Sequence, residues 1–192
     1  MEDIFPVTED RWPDLERFFQ AHGNPNYCWC MTWRTASSAF RAMTSDQRRE
    51  ALHTTLAAGL PIGLLAYQDS EPVGWCSVAP RPTYPRLERS PARPRLDGRN
   101  TWSVVCFFLA PAARGRGLSV KLLQAAIEYA AANGAEVVEG FPVDPLPDEC
   151  GKRGVPASFR FMGFRRSFEK AGFRDVTPAG GRRTIMRFEM DP

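Results

Sequence analysis

The residues best suited to chemistry lie in the run Arg114-Gly115-Arg116-Gly117-Leu118-Ser119, which follows the apolar stretch WSVVCFFL and opens a helical period at Leu118. At a helix start several backbone N–H groups converge without partners, and the helix dipole adds partial positive charge. Gly115 and Gly117 let the backbone come close to a ligand, and Arg114 and Arg116 can add charge-assisted hydrogen bonds. A phosphate or pyrophosphate suits such a turn. The run lacks the Gly-Lys-Ser/Thr ending of a Walker A loop and the glycine spacing of a dinucleotide fingerprint. Taken alone, the same residues also make an ordinary solvated turn, and both readings stand at this level.

Proton-transfer candidates are few. Glu139 falls inside the apolar run AEVVEGF, where an unpaired carboxylate would be costly. It can serve as a general base if its side chain faces an opening, or it can pair with an arginine. Asp144 competes for the role, and His22 and His53, the only histidines, rank behind both. A third unusual stretch is Tyr27-Cys28-Trp29-Cys30-Met31-Thr32-Trp33-Arg34. Its Cys-x-Cys spacing is too tight for the usual zinc pair and no second Cys/His pair is near, so no metal is expected. Tyr27, Trp29 and Trp33 can plug the core or wall a pocket for a flat or cationic amine.

These residues need elements to hold them. A short strand is expected at Ile4–Val7, then a helix from Thr8 or Glu9 with Trp12, Leu15, Phe18 and Phe19 on one stripe, stopped at His22-Gly23-Asn24-Pro25. Thr44 and Gln47 match a capping box opening a second helix that runs to Gly59. Strands at Ile62–Tyr67 and Val73–Ala79 form a hairpin around a polar turn. Residues 80 to 100 hold five prolines and six arginines against Glu88 and Asp97, a lid or surface excursion that favours an anionic partner. Trp102–Leu109 reads as a central strand, Leu118–Ala132 as a helix stopped at Asn133-Gly134, and Ala135–Phe141 as a second central strand, giving a parallel crossover. A helix over 156–171 and strands over 173–177 and 183–190 complete the chain.

The chain of 192 residues is 43% hydrophobic, enough for one sizeable core, and carries a net charge of +3. Lysine occurs only at Lys121, Lys152 and Lys170, so the basic residues are mostly arginine. Neither charge nor pattern gives the basic stripe of a nucleic-acid binder, and no apolar run reaches the length of a membrane span. Five cysteines, two of them inside apolar strands, fit a reducing cytoplasmic setting better than a disulfide framework. A monomer or homodimer is expected.

Two segments bear a family resemblance. Arg114-x-x-Gly117-x-Ser119 resembles the acyl-CoA signature of the GNAT superfamily of N-acetyltransferases, usually Gln/Arg-x-x-Gly-x-Gly/Ala, with serine at the last position here. Ser167-Phe168-Glu169-Lys170-Ala171-Gly172-Phe173 resembles that family's Tyr-Glu-Lys-x-Gly-Phe segment, with Phe168 in place of the tyrosine. The resemblance covers roughly residues 60 to 190. It implies an α/β domain with a mixed, mostly antiparallel sheet, two splayed central parallel strands and helices on both faces. Residues 1–59 would form the acceptor side, 60–141 the central strands and acyl-CoA turn, and 142–192 the C-terminal helix and strands.

It further implies acetyl-CoA as cosubstrate and transfer to an amine of a small molecule or protein by direct attack, or else a non-catalytic acyl-CoA sensor. By position, Phe107, Phe108 and Leu109 would offer backbone to the pantetheine arm. The Leu109 region would stabilise the developing oxyanion. The amides from Arg114 to Ser119 would take the pyrophosphate. Phe168 cannot protonate a leaving thiolate as tyrosine does in relatives.

Overall fold

The structure is a computed structural model and describes residues 2–144, 146–147, 153–154 and 161–190. A seven-stranded sheet has the order β1 (Glu2–Pro6), β2 (Leu64–Gln68), β3 (Glu71–Pro80), β4 (Thr101–Leu109), β5 (Val137–Gly140), β9 (Met186–Glu189), β8 (Arg174–Asp175). Every neighbouring pair is antiparallel except β4–β5. The β2–β3 hairpin turns on Asp69 and Ser70, at φ 51° and 64°, the left-handed pair whose twist suits a tight hairpin. A separate two-stranded piece joins β6 (Leu146–Pro147) to β7 (Arg153–Gly154).

Helices α1 (Trp12–Gln20), α2 (Gly23–Cys28), α3 (Ser37–Ala42), α4 (Ser45–Ala57) and α5 (Pro85–Glu88) accompany one hydrophobic cluster, which includes Leu15, Phe19, Trp29, Leu52, Val105 and Phe141. α6 (Leu118–Ala132) and α7 (Arg165–Lys170) accompany the other, with Val104, Phe107, Val138 and Phe168. Since strand side chains alternate between faces, the two clusters are the two faces of the sheet. α6 buries Leu118, Leu122, Leu123, Ala126 and Ala130, and each leucine contributes ~1.5–3 kcal/mol of transfer free energy. α4 starts on the expected capping box: Thr44 Oγ1 accepts from the Gln47 amide at 3.2 Å, and the Thr44 amide donates to Gln47 Oε1 at 2.8 Å.

The feature that matters for function is where β4 and β5 separate. They pair from Thr101↔Val137 to Val104↔Gly140 and no further, although β4 continues to Leu109. After Gly140 the chain turns to another partner: the Val143 amide donates to Gly163 O at 3.0 Å, and Val143 bridges Phe164. The register shift between Ser77 and Val78 leaves Val105 unpaired, a bulge in β4 just where it leaves β5. The bulge puts Val105 and Cys106 in the same face's cluster and returns Phe107 to the other.

Several elements differ from expectation. α2 forms across His22-Gly23-Asn24-Pro25, read from sequence as a stop, because proline is tolerated in a helix's first turn. The arginine- and proline-rich excursion contains a 3-10 turn at Arg81–Thr83 and the short α5. α7 begins at Arg165, and residues 156–160 of the expected C-terminal helix lie outside the described residues.

Candidate active site

The turn between β4 and α6 is held by geometry rather than by contacts. Gly115 and Gly117 have φ of 76° and 83°, and no heavy atom lies within 4 Å of where a Cβ would stand on either. Glycine is therefore needed for the left-handed backbone and leaves the concave side open. The Val120 amide already donates to Gly117 O at 2.9 Å. The amides of Leu118 and Ser119, in the helix's first turn, have no carbonyl one turn earlier to serve them. Arg114 and Arg116 are exposed, with Arg114 Nε donating to Leu109 O at 3.0 Å. Ser119 Oγ lies 3.1 Å from Ser167 Oγ, tying the start of α6 to α7.

Beside this turn, the free edge of β4 presents specific backbone groups. The Ala110 amide donates to Val73 O at 2.9 Å, and the β3 register continues Leu109↔Gly74 and Phe108↔Trp75. In an antiparallel ladder alternate residues face the same partner, so Phe108 and Ala110 point their backbone groups at β3. Phe107 and Leu109 point theirs at the opposite edge, where β5 has ended. Phe108 is thus corrected as a backbone donor. Its side chain instead turns to the N-terminal helices, 5.5 Å from Phe18 and 4.9 Å from His22, ring to ring.

Glu139 is corrected as a general base. Its side chain lies on the same face as Phe141 but is fully buried, with Oε1 accepting from Arg81 Nη1 and from Ser103 Oγ at 2.8 Å. Arg187 Nη2 stands 3.6 Å from the other oxygen. Arg81, also fully buried, donates further to Glu88 Oε1 at 2.6 Å and to the Arg93 carbonyl at 2.8 Å. A carboxylate gripped in this way has no route to a substrate amine. It fastens the 81–97 segment across the sheet. Asp144 is close to Arg165, at 3.8 Å.

The three aromatics of the cysteine-bearing segment go to three places. Trp29 is 1% exposed, packed against Trp12 and Phe19, and donates its indole N–H to Ser45 Oγ at 3.1 Å; it belongs to the core and walls no pocket. Tyr27 is 62% exposed beneath the Arg48 guanidinium and beside Phe40, on the outer surface. The left-handed φ of Trp29 and Cys30, 45° and 52°, breaks the helical period and sends these side chains apart. Trp33 lies between the guanidiniums of Arg86 and Arg93, and Arg93 also covers Phe141. Cys30 accepts from the Trp75 indole at 3.0 Å and lies 3.2 Å from Cys106; burial pushes its thiol well above the usual range. Among the described residues no three His, Cys, Asp or Glu side chains gather as a metal site. No described helix is long and apolar enough to cross a membrane.

Two residues already noted in the sequence acquire a place in three dimensions. His22 is half-buried against Phe108, on the face opposite the α6 turn. Phe168 is fully buried, and its ring closes the floor of the gap: a Cβ on Gly140 would lie 2.2 Å from it, and the Phe107 and Phe173 rings meet it edge-on.

The chain matches the model of the acetyltransferase (GNAT) family over residues 7–145. No curated protein matches it. Among solved structures it is similar to the aminoglycoside acetyltransferase AAC(6')-Ib in complex with coenzyme A, with 17% identity, 98% of this chain and 95% of that one covered, and a TM-score of 0.56. It is also similar to the PaiA N-acetyltransferase of Thermoplasma acidophilum in complex with coenzyme A, at 14% identity, 99% coverage of both chains and a TM-score of 0.53. A ribosomal-protein-alanine N-acetyltransferase from Brucella melitensis gives 20%, 98% and 99%, and 0.52. At these identities the structural likeness speaks to the fold.

Proposed function

The chain belongs to the acetyltransferase (GNAT) family, and from that premise we propose that it moves an acetyl group from acetyl-CoA to an amine by direct attack. The observation that carries the reading is the parting of β4 from β5 beyond Val104–Gly140, beside a glycine-shaped helix start. Acetyl-CoA supplies the thioester carbonyl and a thiol leaving group. The amides from Gly115 to Ser119, with the Arg114 and Arg116 side chains, hold its pyrophosphate. The Phe107 and Leu109 backbone takes the pantetheine arm, and the Leu109 N–H donates to the carbonyl oxygen under attack, where a preorganised donor is worth ~3–4 kcal/mol.

On the opposite face the acceptor amine approaches past Phe108. His22, half-buried against Phe108 on that face, takes its proton. Phe168 donates none, so solvent protonates the departing thiolate, an undemanding step for a thiol with a pKa of about 8.5. The acceptor is a small molecule or a protein amino group. The reducing cytoplasm is the setting we propose, supported by Cys30 and Cys106, whose sulfurs adjoin unbonded.

Phe168 and the captured Glu139 favour a second reading, an acyl-CoA sensor without turnover. Calorimetric titration with acetyl-CoA followed by a thiol-release assay over an amine panel separates the two. Stoichiometric binding with thiol release supports the enzyme, binding alone supports the sensor, and absence of binding sinks both.

A further inference from the structure

The transfer chemistry above uses no protein thiol, yet sulfurs gather just beyond α2, against β4. Cys30 Sγ stands 3.2 Å from Cys106 Sγ, across 76 positions of sequence, and both residues are buried in the cluster that holds Phe19 and Trp75. The contacts have a direction. The Trp75 indole N–H donates to Cys30 Sγ at 3.0 Å, and Cys30 donates to Cys106. The half-buried Cys28 adds a hydrogen bond to Cys30. Donors thus lead stepwise to Cys106, the sulfur best placed to attack an electrophile. Cys76 is buried in the other cluster, on the α6 face.

An unusual turn delivers Cys30 to this position. The Met31 amide donates to Cys28 O at 2.9 Å, and the two residues between, Trp29 and Cys30, take left-handed backbone at φ 45° and 52°. Residues other than glycine hold that conformation only where their surroundings fix it. Trp29 supplies the fixing, buried against Trp12 and Phe19 and hydrogen-bonded to Ser45. From the sheet, Cys106 lies just beyond the last β4–β5 pair, beside the unpaired Val105, and keeps only β3 as a strand neighbour. A disulfide needs an S–S distance of about 2.0 Å, so the sulfurs must close by only about 1.2 Å.

We propose that Cys30 and Cys106 form a redox site, joined by peroxide into a reversible disulfide that fastens the segment after α2 to β4. The site stands independently of the acetyl-transfer reading. Peroxide gives one oxygen to the Cys106 sulfur, leaving a sulfenic acid and one water. The Cys30 sulfur then attacks the Cys106 sulfur, and its thiol proton leaves with the displaced hydroxide as a second water. The two thiols have given two electrons to the peroxide O–O bond, and no other reactant is needed. Burial pushes the Cys30 thiol well above the usual range. At Cys106 the hydrogen bond from Cys30 lowers the thiol, but burial leaves it raised. Thiolate is therefore scarce at neutral pH, and a small uncharged oxidant suits the site where bulky thiol reagents do not.

Peptide mapping reads the bond without any substitution. The folded protein is treated with excess hydrogen peroxide, digested without reduction and mapped by mass spectrometry. The main product should be a peptide pair linked through Cys30 and Cys106, lighter by two hydrogens and separated by dithiothreitol. Because the bond spans 76 positions, it constrains the unfolded chain strongly. The oxidised protein should melt at least about 5 °C higher than the reduced one, and dithiothreitol should restore the lower value. Cys106→Ala should lose the linked pair and the shift together, while Cys28→Ala keeps both.

Linkage of Cys28 to Cys30, oxidation of Cys30 or Cys106 past the sulfenic acid without a bond, or no reaction at these two sulfurs in the folded protein overturns the inference. So does a linked pair that forms only above the melting temperature, which mapping after peroxide treatment on either side of it would reveal. The mapping of the unaltered protein carries the test if Cys106→Ala does not fold.

Discussion

The two faces of the sheet at the end of β4 are built on different principles. On the α6 side the proposed cofactor site is local: six consecutive residues, two of them glycines at positive φ, shape a turn from backbone alone. On the opposite side Trp33, Arg86, Arg93 and Phe141 stack into a cation–aromatic cluster that only the tertiary fold brings together. Beside it an ion network runs from Glu88 through the buried Arg81, Glu139 and Arg187 to Asp97 and Arg99 at its part-exposed end. The difference teaches that the turn on the α6 side needs backbone conformation, while the opposite face needs side chains positioned by charge pairs. Changes on one side should leave the other intact.

The largest effect should come from Gly117→Asp. A side chain and a negative charge enter the phosphate cradle, and acetyl-CoA affinity should fall at least about a hundredfold by calorimetry, with left-handed strain costing only ~1–2 kcal/mol of stability. Unchanged affinity would break the assignment of the α6 turn. His22→Gln should lower kcat at neutral pH by about a hundredfold and recover at high pH, where the amine arrives already deprotonated. Glu139→Gln provides the contrast. It should cost ~3–5 kcal/mol in denaturant unfolding by removing the buried charge shared by Arg81 and Arg187, which then keep only the half-exposed Glu88 and Asp97, without changing the shape of the pH–rate profile. A profile altered by Glu139→Gln but not by His22→Gln would reverse these roles.

Gly140→Ala should destabilise by ~1–3 kcal/mol, since its Cβ would meet the immovable Phe168 ring. The smallest effect belongs to the edge of the ion network. Burial pushes the Asp97 carboxyl up, but hydrogen bonds from Arg99 and Arg187 overrule it and hold it at about 2. A depressed carboxylate stabilises the fold above its unfolded value and loses that contribution as pH falls towards 2. Urea midpoints between about pH 4 and 2 should fall more steeply for the unaltered protein than for Asp97→Asn. Parallel lines would mean that Asp97 contributes nothing to acid stability.

What the sequence made legible follows the same division. The bounds of α6 at Leu118 and Ala132, the Thr44–Gln47 capping box and the β2–β3 hairpin were readable because each depends on neighbours a few residues apart. The fate of Glu139 was not, because its partner Arg81 lies 58 residues away in an excursion with no period. Nor could Tyr27, Trp29 and Trp33 be told apart. Their directions depend on left-handed backbone at Trp29 and Cys30, which the residue types do not announce. The placement of His22 against Phe108 depends on α2 turning back where glycine and proline suggested only a stop.

Hydrogen exchange with and without acetyl-CoA tests the account most directly, because it reads the free strand edge and the helix start at once. Acetyl-CoA should slow exchange of the Phe107 and Leu109 amides together with those of Gly115 to Ser119, and leave Phe108, already paired to β3, unchanged. Binding that protects neither segment would contradict the proposal that the parted strands and the glycine turn form one acyl-CoA site.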